Sequence, residues 1–104
     1  MAKYDVYEFG ADKTLVVDVQ TDLLDELNTR IVIPILPVNE APLPARFLNP
    51  TFTIDGEQYI FVTQFLSAAP ARQLSKAVGN LVQHSDEITH ALDMVFQGFW
   101  RQFD

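Results

Sequence analysis

Cysteine is absent from this 104-residue chain. That excludes disulfides and thiolate metal sites, and it makes an intracellular, cytoplasmic address the simplest reading. No apolar run approaches the roughly 20 residues of a membrane span. The opening Met1-Ala-Lys-Tyr-Asp-Val-Tyr7 lacks the apolar stretch of a signal peptide. The four glycines, Gly10, Gly56, Gly79 and Gly98, are isolated, so there is no Gly-rich phosphate loop. Histidine occurs only as His84 and His90, six apart rather than at the i, i+4 spacing that puts two ligands on one helix face, and no metal or other cofactor is expected. No nucleophile elbow occurs. Ser67, Ser75 and Ser85 have no partnered histidine in sequence, although a triad assembled in space stays open. Basic charge is also scarce: 7 Lys and Arg stand against 14 Asp and Glu, for a net charge of −7. Binding to phosphates needs a concentrated basic face. Here the cations are scattered and outnumbered, so direct nucleic-acid binding is not expected. The acidity at the least favours solubility.

What remains fits one domain over residues 1–104, with 48% hydrophobic residues to build a modest core. Tyr4 to Phe9 and Thr14 to Gln20 read as strands around the turn Gly10–Lys13. The acidic stretch Thr21 to Asn28 reads as a loop holding Leu23 and Leu24. Five of the eight residues from Thr29 to Leu36 are β-branched, and the stretch reads as a strand buried on at least one face, with Pro34 suggesting an edge position or a bulge near its end. Four prolines within residues 37–50 rule out a regular helix or central strand there. Thr51 to Ile54 and Gln58 to Gln64 alternate around Asp55-Gly56, a pair that accepts the positive φ angles of a tight hairpin. Ser67-Ala-Ala-Pro70 follows with no element assigned, and the stretch from Gln73 to Val82, interrupted by Gly79, is ambiguous. A helix is expected from about Ser85, with Ser85 as its cap and Asp86 and Glu87 at the positive end of its dipole. Ile88, Ala91, Leu92, Val95, Phe96 and Phe99 recur on one of its faces, and Gly98 falls in its last turn. Strands first and one helix last give an α+β fold with an antiparallel sheet, satisfied by a small, bent, SH3-like barrel. The expected core is Val17, Val19, Ile33, Phe52, Ile54, Phe61, Leu92 and Phe96.

Two features bear on function. Asp18, Asp22, Asp25 and Glu26 cluster within nine residues. Such carboxylates can do acid–base work or hold a divalent metal, or they can form a solvated turn with side-chain-to-backbone hydrogen bonds. The chain also ends in Phe96-Gln-Gly-Phe-Trp-Arg-Gln-Phe103. Four aromatic residues there suit a contact with a second copy or a partner. Trp100 and Phe103 fall beyond the apolar stripe.

The run Val17-Asp-Val-Gln-Thr-Asp-Leu-Leu-Asp25 and the segment Arg30-Ile-Val-Ile-Pro34 resemble the CcdB family of toxins. Pro50-Thr-Phe-Thr-Ile-Asp-Gly56, Thr63-Gln64, Ser67-Ala-Ala-Pro70, Glu87-Ile88, Ala91-Leu92 and Phe96-Gln-Gly-Phe99 keep that family's order. The resemblance implies the toxin of a type II toxin–antitoxin module of the plasmid-maintenance kind. Such a toxin is a homodimer with its terminal helices side by side at the two-fold axis. It binds the DNA gyrase A subunit, traps the enzyme on cleaved DNA, performs no chemistry itself, and is neutralised by a CcdA-type antitoxin. Carried over by position, the gyrase-facing residues are Leu23, Leu24, Asp93, Gln97, Gly98 and Phe99. The chain departs from the pattern in three places. Gln97 stands where well-known members have a Trp that stacks on a gyrase arginine, Asp93 stands where Asn is also found, and the chain runs on past Phe99. Either Trp100 therefore substitutes as the aromatic anchor, or the tail past Phe99 blocks the site. Two alternatives remain: a MazF-like endoribonuclease recruiting Thr29, Arg30 and Ser67, and a degenerate toxin that binds only its antitoxin.

Overall fold

Val16 and Val17 in one strand, and Val32 and Ile33 in the next, are adjacent residues that must point to opposite faces of a sheet. All four are buried, so the sheet they belong to is covered on both sides. The structure, a computed structural model, describes residues 2–74 and 76–98. Within them the strands are β1 (Asp5–Phe9), β2 (Thr14–Asp18), β3 (Thr29–Pro37), β4 (Thr51–Ile54), β5 (Glu57–Phe61), β6 (Ser67–Pro70) and β7 (Ala77–Asn80), followed by helix α1 (Ser85–Gln97). Every pairing is antiparallel. The order is β4-β5-β3-β2-β1-β7, with β6 also paired to β3. The sheet is curled into a half-barrel and carries the one C-terminal helix, an α+β architecture as expected.

The curl follows from β3, which serves two partners along one edge. Thr29 to Val32 pair with β6, and Ile35 to Pro37 pair with β5. Pro34 lies where the partner changes. On the β2 side the Val19 N–H donates to the Ile31 carbonyl at 2.9 Å. Hydrogen bonding alternates along an antiparallel pair, so Pro34 turns its backbone nitrogen away from β2, toward the gap between β6 and β5. There its carbonyl accepts from the Val62 N–H at 3.0 Å. The expected edge position is thus corrected: β3 is an interior strand, and its proline occupies a place where no donor is needed.

One core lies between the sheet and α1 and joins Val6, Val17, Val19, Ile33, Ile35, Phe52 and Phe61 to Leu81, Ile88 and Ala91. The second, on the opposite face, is built from Tyr7, Val16, Val32, Ala69 and Leu74. Ile54 and Leu92 are partly buried against the first core. Phe96, expected inside, is 68% exposed. At 100° per residue it sits about 80° round the helix from Ile88 and about 140° from Ala91, which turns it off the buried stripe.

Local geometry explains the turns. Asp55 and Gly56 have φ of 52° and 81° between Ile54 and Glu57, the doubly positive pattern of a two-residue hairpin loop. Ser67–Pro70, unassigned in sequence, is strand β6, and the ambiguous stretch from Gln73 to Val82 contains strand β7. Ser85 is the first helical residue rather than the cap, because a 3-10 turn at Val82–His84 precedes it. The Asn80 side chain accepts from the Val82 N–H at 2.8 Å and supplies the start instead. Gly98 lies just past the helix rather than in its last turn; its φ is +84° and its N–H closes on the Met94 carbonyl at 3.0 Å.

Candidate functional site

The leucine pair sits on a 3-10 turn, Asp22–Leu24, between β2 and β3. Thr21 starts the turn, its hydroxyl accepting from the Leu23 N–H at 3.3 Å. Both side chains face outward: Leu23 is 92% exposed and Leu24 47%. An apolar groove of about 330 Å³ joins Leu24 to Ile31, Leu66, Leu92 and Phe96. Leu24 and the C-terminal half of α1 therefore border one surface. Asp93 is half-buried, and Gln97 and Gly98 are exposed at the end of that helix. Phe99 and Trp100 lie outside the described residues. A Cβ placed on Gly98 meets nothing within 4 Å.

Beneath the turn is a polar clamp that sequence reasoning missed. Arg30 on β3 is 1% exposed, and its partner Asp18 on β2 is 0% exposed. The guanidinium donates to Asp18 Oδ2 through Nε at 2.8 Å and Nη2 at 2.7 Å, and to Asp25 Oδ1 through Nη1 at 3.1 Å. Asp22 Oδ1 lies 3.6 Å from Nη2. Burial pushes the Asp18 carboxyl above the usual carboxylate range, against the opposing pull of Arg30 and of the Gln20 N–H. Gln20 is buried as well. Its amide donates to the Leu24 carbonyl at 3.0 Å, and its side-chain oxygen accepts from the Ile31 N–H at 3.1 Å. The available signal was the polar pair Asp18 and Gln20 alternating with Val17 and Val19. Alternation alone reads as polar-outward, and only the buried cation on the next strand reverses that reading.

The acidic cluster divides: Asp18 points inward to Arg30, while the side chains of Asp22 and Asp25 are 61% and 54% exposed. Among the described residues no three His, Cys, Asp or Glu side chains converge in a way that could hold a metal ion. His84 Nδ1 is 2.9 Å from Glu87 Oε1, and its ring lies 4.6 Å from that of Phe52. The His90 ring lies 5.3 Å from Phe47. Of the residues considered for ribonuclease chemistry, Thr29 and Ser67 are exposed but Arg30 is enclosed. No helix among the described residues is long and apolar enough to cross a membrane.

Among the described residues the site thus presents two exposed leucines on a braced turn, an apolar groove beside them, and a helix end with an open glycine. The family model described as CcdB protein matches residues 3–98. The match takes in the braced turn, the groove and the helix up to Gly98.

Proposed function

The chain belongs to the CcdB family, and on that premise we propose that it is the toxin of a toxin–antitoxin module, acting in the cytoplasm as a poison of DNA gyrase. The single observation that carries the reading is the family match over residues 3–98. The exposed Leu23 and Leu24 and the open helix end at Gln97 and Gly98 support it, because a contact-making toxin needs presented side chains rather than a catalytic pocket. In this reading Leu23, Leu24, Asp93, Gln97, Gly98, Phe99 and Trp100 face the gyrase A subunit, and the complex holds gyrase on cleaved DNA. The toxin contributes contacts and no bond-making step. Residues 1–104 form one domain, two copies associate through the exposed Phe96 side of α1, and a CcdA-type antitoxin neutralises the dimer.

Gln97 can hydrogen-bond but offers no ring for a cation–π contact, which is worth about 0.5–2 kcal/mol. Phe99 or Trp100 takes over the aromatic anchor. The ribonuclease reading is disfavoured by Arg30, whose guanidinium is enclosed and engaged by Asp18 and Asp25. Two assays run side by side decide between the readings: purified protein with gyrase and supercoiled plasmid, and the same protein with messenger RNA. Linear DNA released on denaturing the complex, with the RNA intact, is the expected result. Cleaved RNA with gyrase unaffected makes the ribonuclease reading correct, and inertness in both assays leaves a protein that binds only its antitoxin.

A further inference from the structure

Leu23 and Leu24 pose a physical problem. Two adjacent aliphatic residues presented on an exposed turn bury little apolar surface within the chain, so hydrophobic burial does not explain why they are held there. Yet the turn is tied to the sheet at three points. Asp22 and Asp25, which flank the leucines, both reach Arg30, at 3.6 Å and 3.1 Å. Between them the Leu24 carbonyl accepts from the Gln20 amide at 3.0 Å. On its outer side Asp22 Oδ1 also accepts from the Lys3 N–H at 3.0 Å.

The clamp is costly. Arg30, Asp18 and Gln20 are removed from water, and a buried ion pair often adds less stability than apolar residues of the same volume. Stability alone is therefore a poor reason for this arrangement. Geometry is a better one. Gln20 bonds at once to the turn, through Leu24, and to β3, through Ile31. Arg30 bonds at once to the strand residue Asp18 and the turn residue Asp25. Each side chain thus fixes the turn to the rigid pair β2–β3.

We infer that Arg30 and Gln20 are positioning residues that hold the Leu23–Leu24 turn ready for its protein partner. The partner assignment rests on the gyrase reading above; the clamping itself does not. A turn ordered beforehand loses less conformational entropy when it is bound, and the affinity rises accordingly.

The test uses the full chain with Arg30→Lys, which keeps the cation but loses the fork, Gln20→Leu, which removes the amide, and Asp25→Ala, which removes the acceptor on the turn and leaves the buried Arg30–Asp18 pair in place. Thermal melts establish which variants are folded. Should Arg30→Lys fail to fold, Asp25→Ala carries the test of the Arg30 contact. Backbone amide relaxation is expected to show lowered order for Leu23 and Leu24 in the folded variants and unchanged order in β2. Unchanged order at the leucines overturns the inference. Calorimetry against a gyrase A fragment is expected to show binding weakened about tenfold, the scale of re-ordering one turn residue. A double-mutant cycle supplies a readout that a merely structural role does not move: Leu23→Ala costs less affinity in the Arg30→Lys or Asp25→Ala background than in the wild type. Equal cost in both backgrounds overturns the positioning role. If the wild type itself fails to bind gyrase A, the gyrase reading falls, and the order of the leucine amides alone decides whether Arg30 and Gln20 are a clamp.

Discussion

Replacing Phe96 by alanine separates the protomer's own stability from its proposed association. Phe96 is 68% exposed in the single chain. A phenylalanine buries about 150–250 Å² when enclosed, so about 100–170 Å² of this side chain remains to be covered by a neighbour. At about 25 cal/mol per Å² that surface is worth about 2.5–4 kcal/mol at most. Alanine keeps part of it, which leaves a loss of roughly 2–3 kcal/mol per protomer and about twice that in a two-fold dimer. The dimer dissociation constant should therefore rise by about a thousandfold or more. The third already buried sits beside Leu92 and Leu24 in the groove, and its loss should lower protomer stability by only about 1 kcal/mol. Sedimentation over a concentration series reads the first quantity, with wild type at twice 11.8 kDa and the variant shifting to single chains. Melts at high dilution read the second. A Phe96→Ala protein that stays dimeric but melts like a core mutant would refute this placement of the side chain, and a wild type that never dimerises would remove the reason given for its exposure.

Ile33 is fully buried in the core beneath α1, and Ile33→Ala should cost about 2–5 kcal/mol; a chemical denaturation midpoint that barely moves would show the core misplaced. Tyr7 should make the fold sensitive to alkali. Burial, and then Asp5, whose carboxylate accepts from the Tyr7 hydroxyl at 3.3 Å, push the phenol from 10.0 up to about 12. The folded state then holds this proton where the unfolded chain has released it, so stability present below pH 10 is lost progressively as pH rises toward about 12. Tyr7→Phe should flatten that part of the pH–stability curve; an unchanged slope would assign the alkaline loss to other groups.

How much of this was legible in the sequence depended on whether the signal was local. Asp55-Gly56 marks its hairpin because the turn needs two positive φ angles and those residues accept them. The apolar run of β3 and the Ile88–Ala91 stripe also stand out, since periodicity is written into neighbouring residues. Ser67–Pro70 and Ala77–Asn80 were not legible as strands. Each has only four residues with weak intrinsic preference, and each is ordered by a distant partner, β3 or β1. Pro34 read as an edge marker because a local rule cannot anticipate one strand serving two neighbours on the same side. At the candidate site the exposed leucines were visible by their oddity in an acidic loop. The clamp was not, because Asp18 and Gln20 become interior residues only once Arg30, on another strand, is folded over them. Phe96 was misplaced because the three- and four-residue spacing tolerates a drift that the angle about the axis does not.

The most direct measurement is a calorimetric titration of a gyrase A fragment with the wild type, Gly98→Glu and Gly98→Asn. At Gly98 the space is open but φ is +84° with ψ at −64°, the sparsely populated γ-turn region, so any side chain brings backbone strain of about 1–3 kcal/mol. Asparagine carries that strain too and so controls for it without adding charge. Saturable binding by wild type, a smaller loss with Gly98→Asn, and no detectable binding by Gly98→Glu are expected, with the dimer and melting transition of Gly98→Glu intact. Equal binding by all three proteins, or none by the wild type, contradicts a gyrase contact at this helix end.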